Sequence, residues 1–418
     1  MMLGKRESFT KALITEIDRR ANDFNKLGDA VNTIYFGGGT PSLLAPPALQ
    51  SILQAIYAGY NLGAAGGPAP GSHPANHPSN LEAPGSHPAN SGAGVPGNQL
   101  VGNMGNPVAG SHPANLGGAA GHPGSHGREV TLEVNPDDIT EQYLQGLLEA
   151  GFNRLSMGIQ SFNDGHLKWM NRRHTSAEAV AAFTAARSAG FGNISIDLIF
   201  GLEGLSMQMW RENINRAIEL SPEHISAYQL SVEPGTKLHA SYKKGEYLQM
   251  KDTLSFKQYA LLQNMLSEAG YVQYEISSFC KPGRESRHNS SYWDFTPYFG
   301  FGPSAHSFDG ERRFWNVSSL NTYLKSIEQG TGCSREEIIS PKDRFNEYIM
   351  LSLRRLGGMD IAYINSHFKV PDEFYNSLAV LIKRGDVVEH GGKLKVPPEK
   401  LFLSDGIIRE LFCTGSIL

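Results

Sequence analysis

Cysteine is scarce in this chain of 418 residues: only Cys280, Cys333 and Cys413, far apart and odd in number. That leaves no basis for a disulfide framework, and a reducing compartment, the cytoplasm, is the expected location. Long apolar runs are lacking as well, and none approaches the roughly 20 residues of a membrane span. The first twenty residues carry Lys5, Arg6, Glu7, Lys11, Glu16 and Asp18, which excludes a signal-peptide core and predicts an amphipathic helix. Charge of one sign is also missing. A net charge of −4 provides no field for nucleic acid, and no nucleic-acid partner is expected.

One segment lacks nearly everything a packed core needs. Residues 61–127 hold a single charged residue, Glu82, and no aromatic, and Gly-Ser-His-Pro-Ala-Asn recurs at 71–76, 85–90 and 110–115. So little apolar surface cannot offset the entropy of ordering, and a disordered low-complexity insertion is expected. Six of the fourteen histidines fall here, but their spacing is irregular and no Cys or acidic cluster accompanies them. Metal binding is the minor reading.

What is present outside that segment is an alternation. Strands are predicted at 31–36, 130–134, 154–159, 194–200 and 224–230, with helices at 48–57, 140–150, 177–189 and 207–220 between them. This is the spacing of βαβ units, so five parallel strands form a barrel or an open doubly wound sheet. Strand ends carry the polar residues: Gly37-Gly38-Gly39-Thr40 after the first, Glu133 in the second, Gln160 after the third, Asp197 in the fourth and Ser231 after the fifth. In parallel α/β folds ligands gather at those ends, so a polar mouth is expected. The glycine triplet would let a ligand approach the backbone closely.

Read in order, Gly37-Gly38-Gly39-Thr40-Pro41-Ser42, Leu132-Glu133-Val134-Asn135-Pro136, Arg154-Leu155-Ser156-Met157-Gly158-Ile159-Gln160 and Ile196-Asp197-Leu198-Ile199-Phe200-Gly201 resemble radical S-adenosylmethionine proteins related to oxygen-independent coproporphyrinogen III oxidase. His288-Asn289-Ser290-Ser291-Tyr292-Trp293 resembles a signature of the family's haem-chaperone branch. The resemblance implies a partial (β/α)6 TIM-like barrel with its first strand missing, and S-adenosylmethionine as cofactor. Gly38, Gly39 and Thr40 would meet the methionyl amino group and Glu133 the methionyl or ribose end. Gln160 and Asp197 would hold ribose hydroxyls, Arg172 the carboxylate, and Ser231 would contribute backbone. Arg173 is the alternative to Arg172. Such pairings suit the residue types, since arginine makes a bidentate bond to a carboxylate.

The resemblance also implies haem as cargo, with respiratory haem apoproteins as recipients and a possible peripheral association with membranes. The oligomeric state stays open. His288 is the candidate haem ligand because imidazole is a common axial ligand, with packing and turn-capping as the other reading. His306 reads as structural. The family's four-iron–four-sulfur cluster needs Cys-x3-Cys-x2-Cys, which the sequence does not contain. A start placed too far downstream, or a fragmentary gene, is the expected reason, and a cluster-less paralogue is the alternative. The barrel is expected over 1–60 and 128–235, a barrel-closing segment over 236–340, and a winged-helix-like accessory domain over 341–418. Three functions compete: haem chaperone, coproporphyrinogen III oxidase, and a cluster-less scaffold that binds partners through its C-terminal domain and does not bind S-adenosylmethionine.

Overall fold

The computed structural model describes residues 3–63, 127–331 and 334–415. Most of the insertion expected over 61–127, with its histidine repeats, and Cys333 lie outside the described residues.

The chain opens with helix α1 (Leu3–Asn25), as the charge pattern predicts, and its Leu13, Ile17, Ala21 and Phe24 enter the main core. Four strand–helix units and a fifth strand follow: β1 (Thr33–Phe36), α2 (Pro46–Gly59), β2 (Glu129–Val134), α3 (Glu141–Ala150), β3 (Arg154–Gln160), α4 (Asp164–Trp169), α5 (Ser176–Ala189), β4 (Ile194–Phe200), α6 (Met207–Leu220) and β5 (His224–Gln229). Local chemistry sets the helix starts. Thr140 and Ser206 accept the N–H of Tyr143 and Met209, and Thr175 with Glu178 forms a capping box. Strand β1 begins two residues later than its apolar run, because the Val31 N–H donates to the Asn61 carbonyl beside the end of α2.

All four neighbouring pairs from β1 to β5 are parallel, and their spatial order is their chain order. A doubly wound sheet would reverse its order at a switch point. None occurs, so the sheet is an open half-barrel. It continues past β5 through two antiparallel strands that the sequence pattern does not reveal, β7 (Ser278–Cys280) and then β6 (Val272–Glu275). Two helices, α7 (Lys237–Lys243) and α8 (Asp252–Glu268), precede them.

Alternation along the strands divides the sheet into two solvents. Ile34, Leu132, Leu155, Met157, Ile196, Leu198 and Ile225 are buried beneath the helices. Residues of the opposite parity face the lumen and are nearly all polar.

The segment 281–340 supplies α9 (Arg287–Tyr292), α10 (Leu320–Gln329) and a small antiparallel sheet of β8 (His306–Phe308), β9 (Arg312–Asn316) and β10 (Ser334–Ile338). His306 stacks on Trp315 at 5.8 Å within this sheet. The C-terminal domain has α11 (Pro341–Leu353), β11 (Met359–Asp360), α12 (Ile361–His367), α13 (Asp372–Arg384), β12 (Val388–His390), β13 (Lys393–Lys395) and α14 (Ser404–Leu411). Its three-stranded sheet has the order β11-β13-β12. No described helix is long and apolar enough to cross a membrane.

Glu16 ties α1 to the second sheet. One carboxylate oxygen accepts from Asn316 Nδ2 (2.7 Å) and Arg20 (3.1 Å), the other from the Gly302 N–H (2.8 Å) and Tyr323 Oη (2.7 Å). The Arg20 guanidinium lies within 4.9 Å of the ring centroids of Phe299, Phe301 and Phe314. Breaking such a buried node leaves several donors without acceptors, at a cost of about 3–5 kcal/mol. Glu16→Ala is therefore expected to lower the melting temperature by several degrees, and Glu16→Gln by less. Thermal unfolding followed by circular dichroism measures both; unchanged melting of Glu16→Ala would contradict the assignment.

Candidate functional site

The lumen-facing residues meet in a cavity of about 300 Å³ at the carboxyl ends of β1–β5. After β1 the chain turns through Gly37–Gly39. Gly38 and Gly39 have φ of +73° and +70°, in the left-handed region, and a Cβ on Gly37 would come within 2.4 Å of the Tyr35 ring and 2.7 Å of Glu133 Oε1. Glu133 fastens this loop: Oε1 accepts from Tyr35 Oη at 2.8 Å and Oε2 from the Gly38 N–H at 3.1 Å. A carboxylate has further lone pairs, so Glu133 can still receive a ligand donor. Gly39 and Thr40 line the cavity, while the Gly38 N–H is directed to Glu133.

Strand β3 contributes Ser156, Gly158 and Gln160. Its register with β4 slips between Met157 and Gln160, and Gln160 takes φ +68°. A bulge with a left-handed non-glycine residue re-aims a side chain at some energetic cost, and such strain concentrates at functional sites. Arg172 arrives by another route. Helix α4 ends in a Schellman turn: Asn171 is left-handed (φ +56°) and the Arg172 N–H donates to the Leu167 carbonyl at 2.9 Å. The Arg172 guanidinium then donates to Asn135 Oδ1 (2.9 Å) and the Gly158 carbonyl (2.8 Å) at the cavity wall. Arg173 points away, 62 % exposed and paired with Asp137 and Asp138. Of the two adjacent arginines, Arg172 is the one in the mouth.

Asp197 of β4 sits in the cavity beside Ser226 and Tyr228 of β5. Burial, and then the Glu133 carboxylate, push its pKa up to about 7, against the opposing pull of Arg154, Ser226 and Arg172. Ser231 is exposed beyond the end of β5 and does not line the cavity; Ser226 and Tyr228 represent that strand instead. Tyr35, Asn135, Ser156, Ser226 and Tyr228 are further lining residues, and strand parity alone could have found four of them. Asn289 also lines the cavity, from a helix about 150 residues beyond β2.

His288 is half-buried against the same wall. Its ring stacks on Tyr35 (4.6 Å, 13°), with Nδ1 hydrogen-bonded to Thr33 Oγ1 and Nε2 to Tyr292 Oη, each at 2.9 Å. Both nitrogens are therefore engaged. The helix that carries it is capped by Ser286, which accepts the Asn289 N–H, so neither His288 nor Asn289 is the cap.

Cys280 is buried in β7, where burial pushes its thiol up to about 12, and Cys413 lies beyond α14 in the C-terminal domain. A cluster needs converging thiolates. Among the described residues no group of three or more His, Cys, Asp or Glu is placed to hold a metal. These residues do not fit an iron–sulfur cluster. A second hollow of about 370 Å³ lies between α1 and β9–β10, but its Arg312 is paired with Asp309 and Glu336.

The Radical SAM superfamily matches residues 111–217. The chain is 38 % identical over 232 residues to the haem chaperone HemW of Bacillus subtilis, covering 55 % of this chain and 61 % of that protein. It is 32 % identical over 284 residues to HemW of Mycobacterium tuberculosis, covering 68 % and 71 %. The chain belongs to the HemW family. Its fold is similar to coproporphyrinogen III oxidase (HemN) of Escherichia coli, a radical SAM enzyme, at a TM-score of 0.69 and 20 % identity over 98 % of this chain and 84 % of that one.

The raised pKa of Asp197 makes stability depend on pH. The folded state holds this proton more tightly than the unfolded state, whose carboxyl titrates near 3.9. The contribution is full below about pH 4 and is lost as pH rises through about 7. Asp197→Asn is expected to remove up to about one proton from the pH slope of unfolding free energy in that window. Urea titrations at pH 4.5, 6 and 7.5 on both proteins measure it, and parallel slopes would refute the shift.

Proposed function

We propose that this chain is a haem chaperone of the HemW type, which binds S-adenosylmethionine in the mouth of the half-barrel and carries haem for delivery to respiratory apoproteins. One observation supports the cofactor half above all. The cavity at the ends of successive strands brings together a glycine backbone edge, two carboxylates, three carboxamides and one arginine. That donor set matches an amino acid joined to a ribose. The Gly39–Thr40 backbone and Glu133 would receive the amino group, and Arg172 the carboxylate through charge-assisted hydrogen bonds. Gln160 and Asp197 would hold the ribose hydroxyls.

In radical SAM enzymes the bound cofactor yields a 5′-deoxyadenosyl radical when an iron–sulfur cluster delivers an electron. The described residues offer that cluster no ligands, so what this chain's own residues do is bind and orient. The same point weighs against coproporphyrinogen oxidation, because the likeness to HemN at 20 % identity supports the fold alone. Haem delivery rests on the relatives named as haem chaperones. If His288 is the iron ligand, it must first release Thr33 or Tyr292.

Calorimetric titration with S-adenosylmethionine tests the mouth. Arg172→Ala is expected to weaken binding by about tenfold or more, the loss of a charged hydrogen-bonded pair. Arg173→Ala should stay within about twofold, the usual range for a surface site. Titration with haem, read at the Soret band, tests the cargo. Absence of S-adenosylmethionine binding would support a scaffold role instead, and turnover of coproporphyrinogen III by this polypeptide would overturn the chaperone reading.

A further inference from the structure

We infer that Asn289 of α9 is a direct ligand contact in the S-adenosylmethionine pocket and that His288 beside it is a positioning residue for the glycine-loop grip. This rests on the reading of the mouth as the cofactor site. The path from His288 to that grip is continuous. The imidazole stacks on Tyr35, the Tyr35 hydroxyl donates to Glu133 Oε1, and Glu133 Oε2 holds the Gly38 N–H. A tyrosine ring free to swing would not hold its hydroxyl at 2.8 Å from a carboxylate that must also fasten a loop. Thr33 and Tyr292 fix the imidazole itself, one at each nitrogen.

The helix is in turn seated on the barrel. Glu129 of β2 accepts the N–H groups of Arg287 (3.0 Å) and His288 (2.9 Å), which sets where α9 begins relative to the strands. That seating brings Asn289 to the cavity wall. Among the described residues its carboxamide has no protein partner, so a donor and an acceptor remain for a ligand. Axial ligation of iron would require the opposite arrangement, an imidazole nitrogen with a free lone pair. Burial, then the Arg154 charge, depress the His288 pKa to about 4, so the ring is neutral and suited to stacking.

The test uses the full chain and the variants His288→Ala, His288→Phe and Asn289→Ala, with thermal melting as a check on folding. S-adenosylmethionine affinity is measured by calorimetry and haem binding by Soret titration. His288→Ala is expected to weaken S-adenosylmethionine by about tenfold, the scale of one positioned hydrogen bond, with haem stoichiometry unchanged. His288→Phe keeps the stack and should recover most of that loss, which a merely structural defect would not do. Asn289→Ala should weaken binding by about five- to tenfold. If His288→Ala fails to fold, the other two variants carry the test. S-adenosylmethionine affinity within twofold of the native protein in the folded variants, together with loss of the Soret band, would overturn the inference and make the motif a haem ligand. Failure of the native chain to bind S-adenosylmethionine would instead overturn the reading of the mouth, before any variant is measured.

Discussion

Each of the five parallel strands has to satisfy two opposite environments, and the site depends on how it does so. Outward residues such as Leu132, Leu155, Ile196 and Ile225 are wholly buried under helices, and this burial provides the main driving force for the half-barrel. With the outward face committed, the inward face can carry groups that would be expensive in a closed core. Glu133, Ser156, Asp197 and Ser226 follow from the same alternation that positions the core. A one-residue slip of any strand would exchange the two sets. The mouth is therefore only as well defined as the apolar packing behind it.

On this frame the polar groups order one another. Glu133 is the hub, since it holds the glycine loop and Tyr35 together and adds to burial in raising the pKa of Asp197. Arg154 of β3, which is buried, and Arg172 at the wall pull the other way on Asp197. Two acids in one cavity would repel each other at neutral pH without such counter-charges. The site is partly pre-organised in this sense: Glu133 and Arg172 are already held in hydrogen bonds, so little of their side-chain entropy remains to be lost on binding.

Much of this was legible in the sequence because the chemistry is written in strand parity. The runs that became β2, β4 and α6 end within a residue of where periodicity puts them. Elements without periodicity were not legible. Strand β10 is exposed at every residue, β11 has only two residues, and β6 and β7 are short and antiparallel. Nor could spacing choose between Arg172 and Arg173. The choice was made by the left-handed Asn171, which turns the chain so that the first arginine enters the mouth and the second meets Asp137 and Asp138. Asn289 was hidden for a different reason, because only the tertiary seating of α9 brings it to the cavity.

That seating explains an otherwise uneconomical pair. Glu129 and Arg154 are almost wholly buried, with 3.9 Å between Arg154 Nε and the carboxylate. Taking two charges out of water at that separation is poor value for stability, and packed apolar residues often serve a core better. But an apolar residue at 129 could not receive the N–H groups of Arg287 and His288, and α9 would lose the contact that sets its register against β2. Arg154 is the positive charge beside it, with its Nε 3.9 Å from the carboxylate. The buried pair is thus better understood as a device for specificity: it fixes where a distant helix docks, and through that helix where Asn289 meets the mouth.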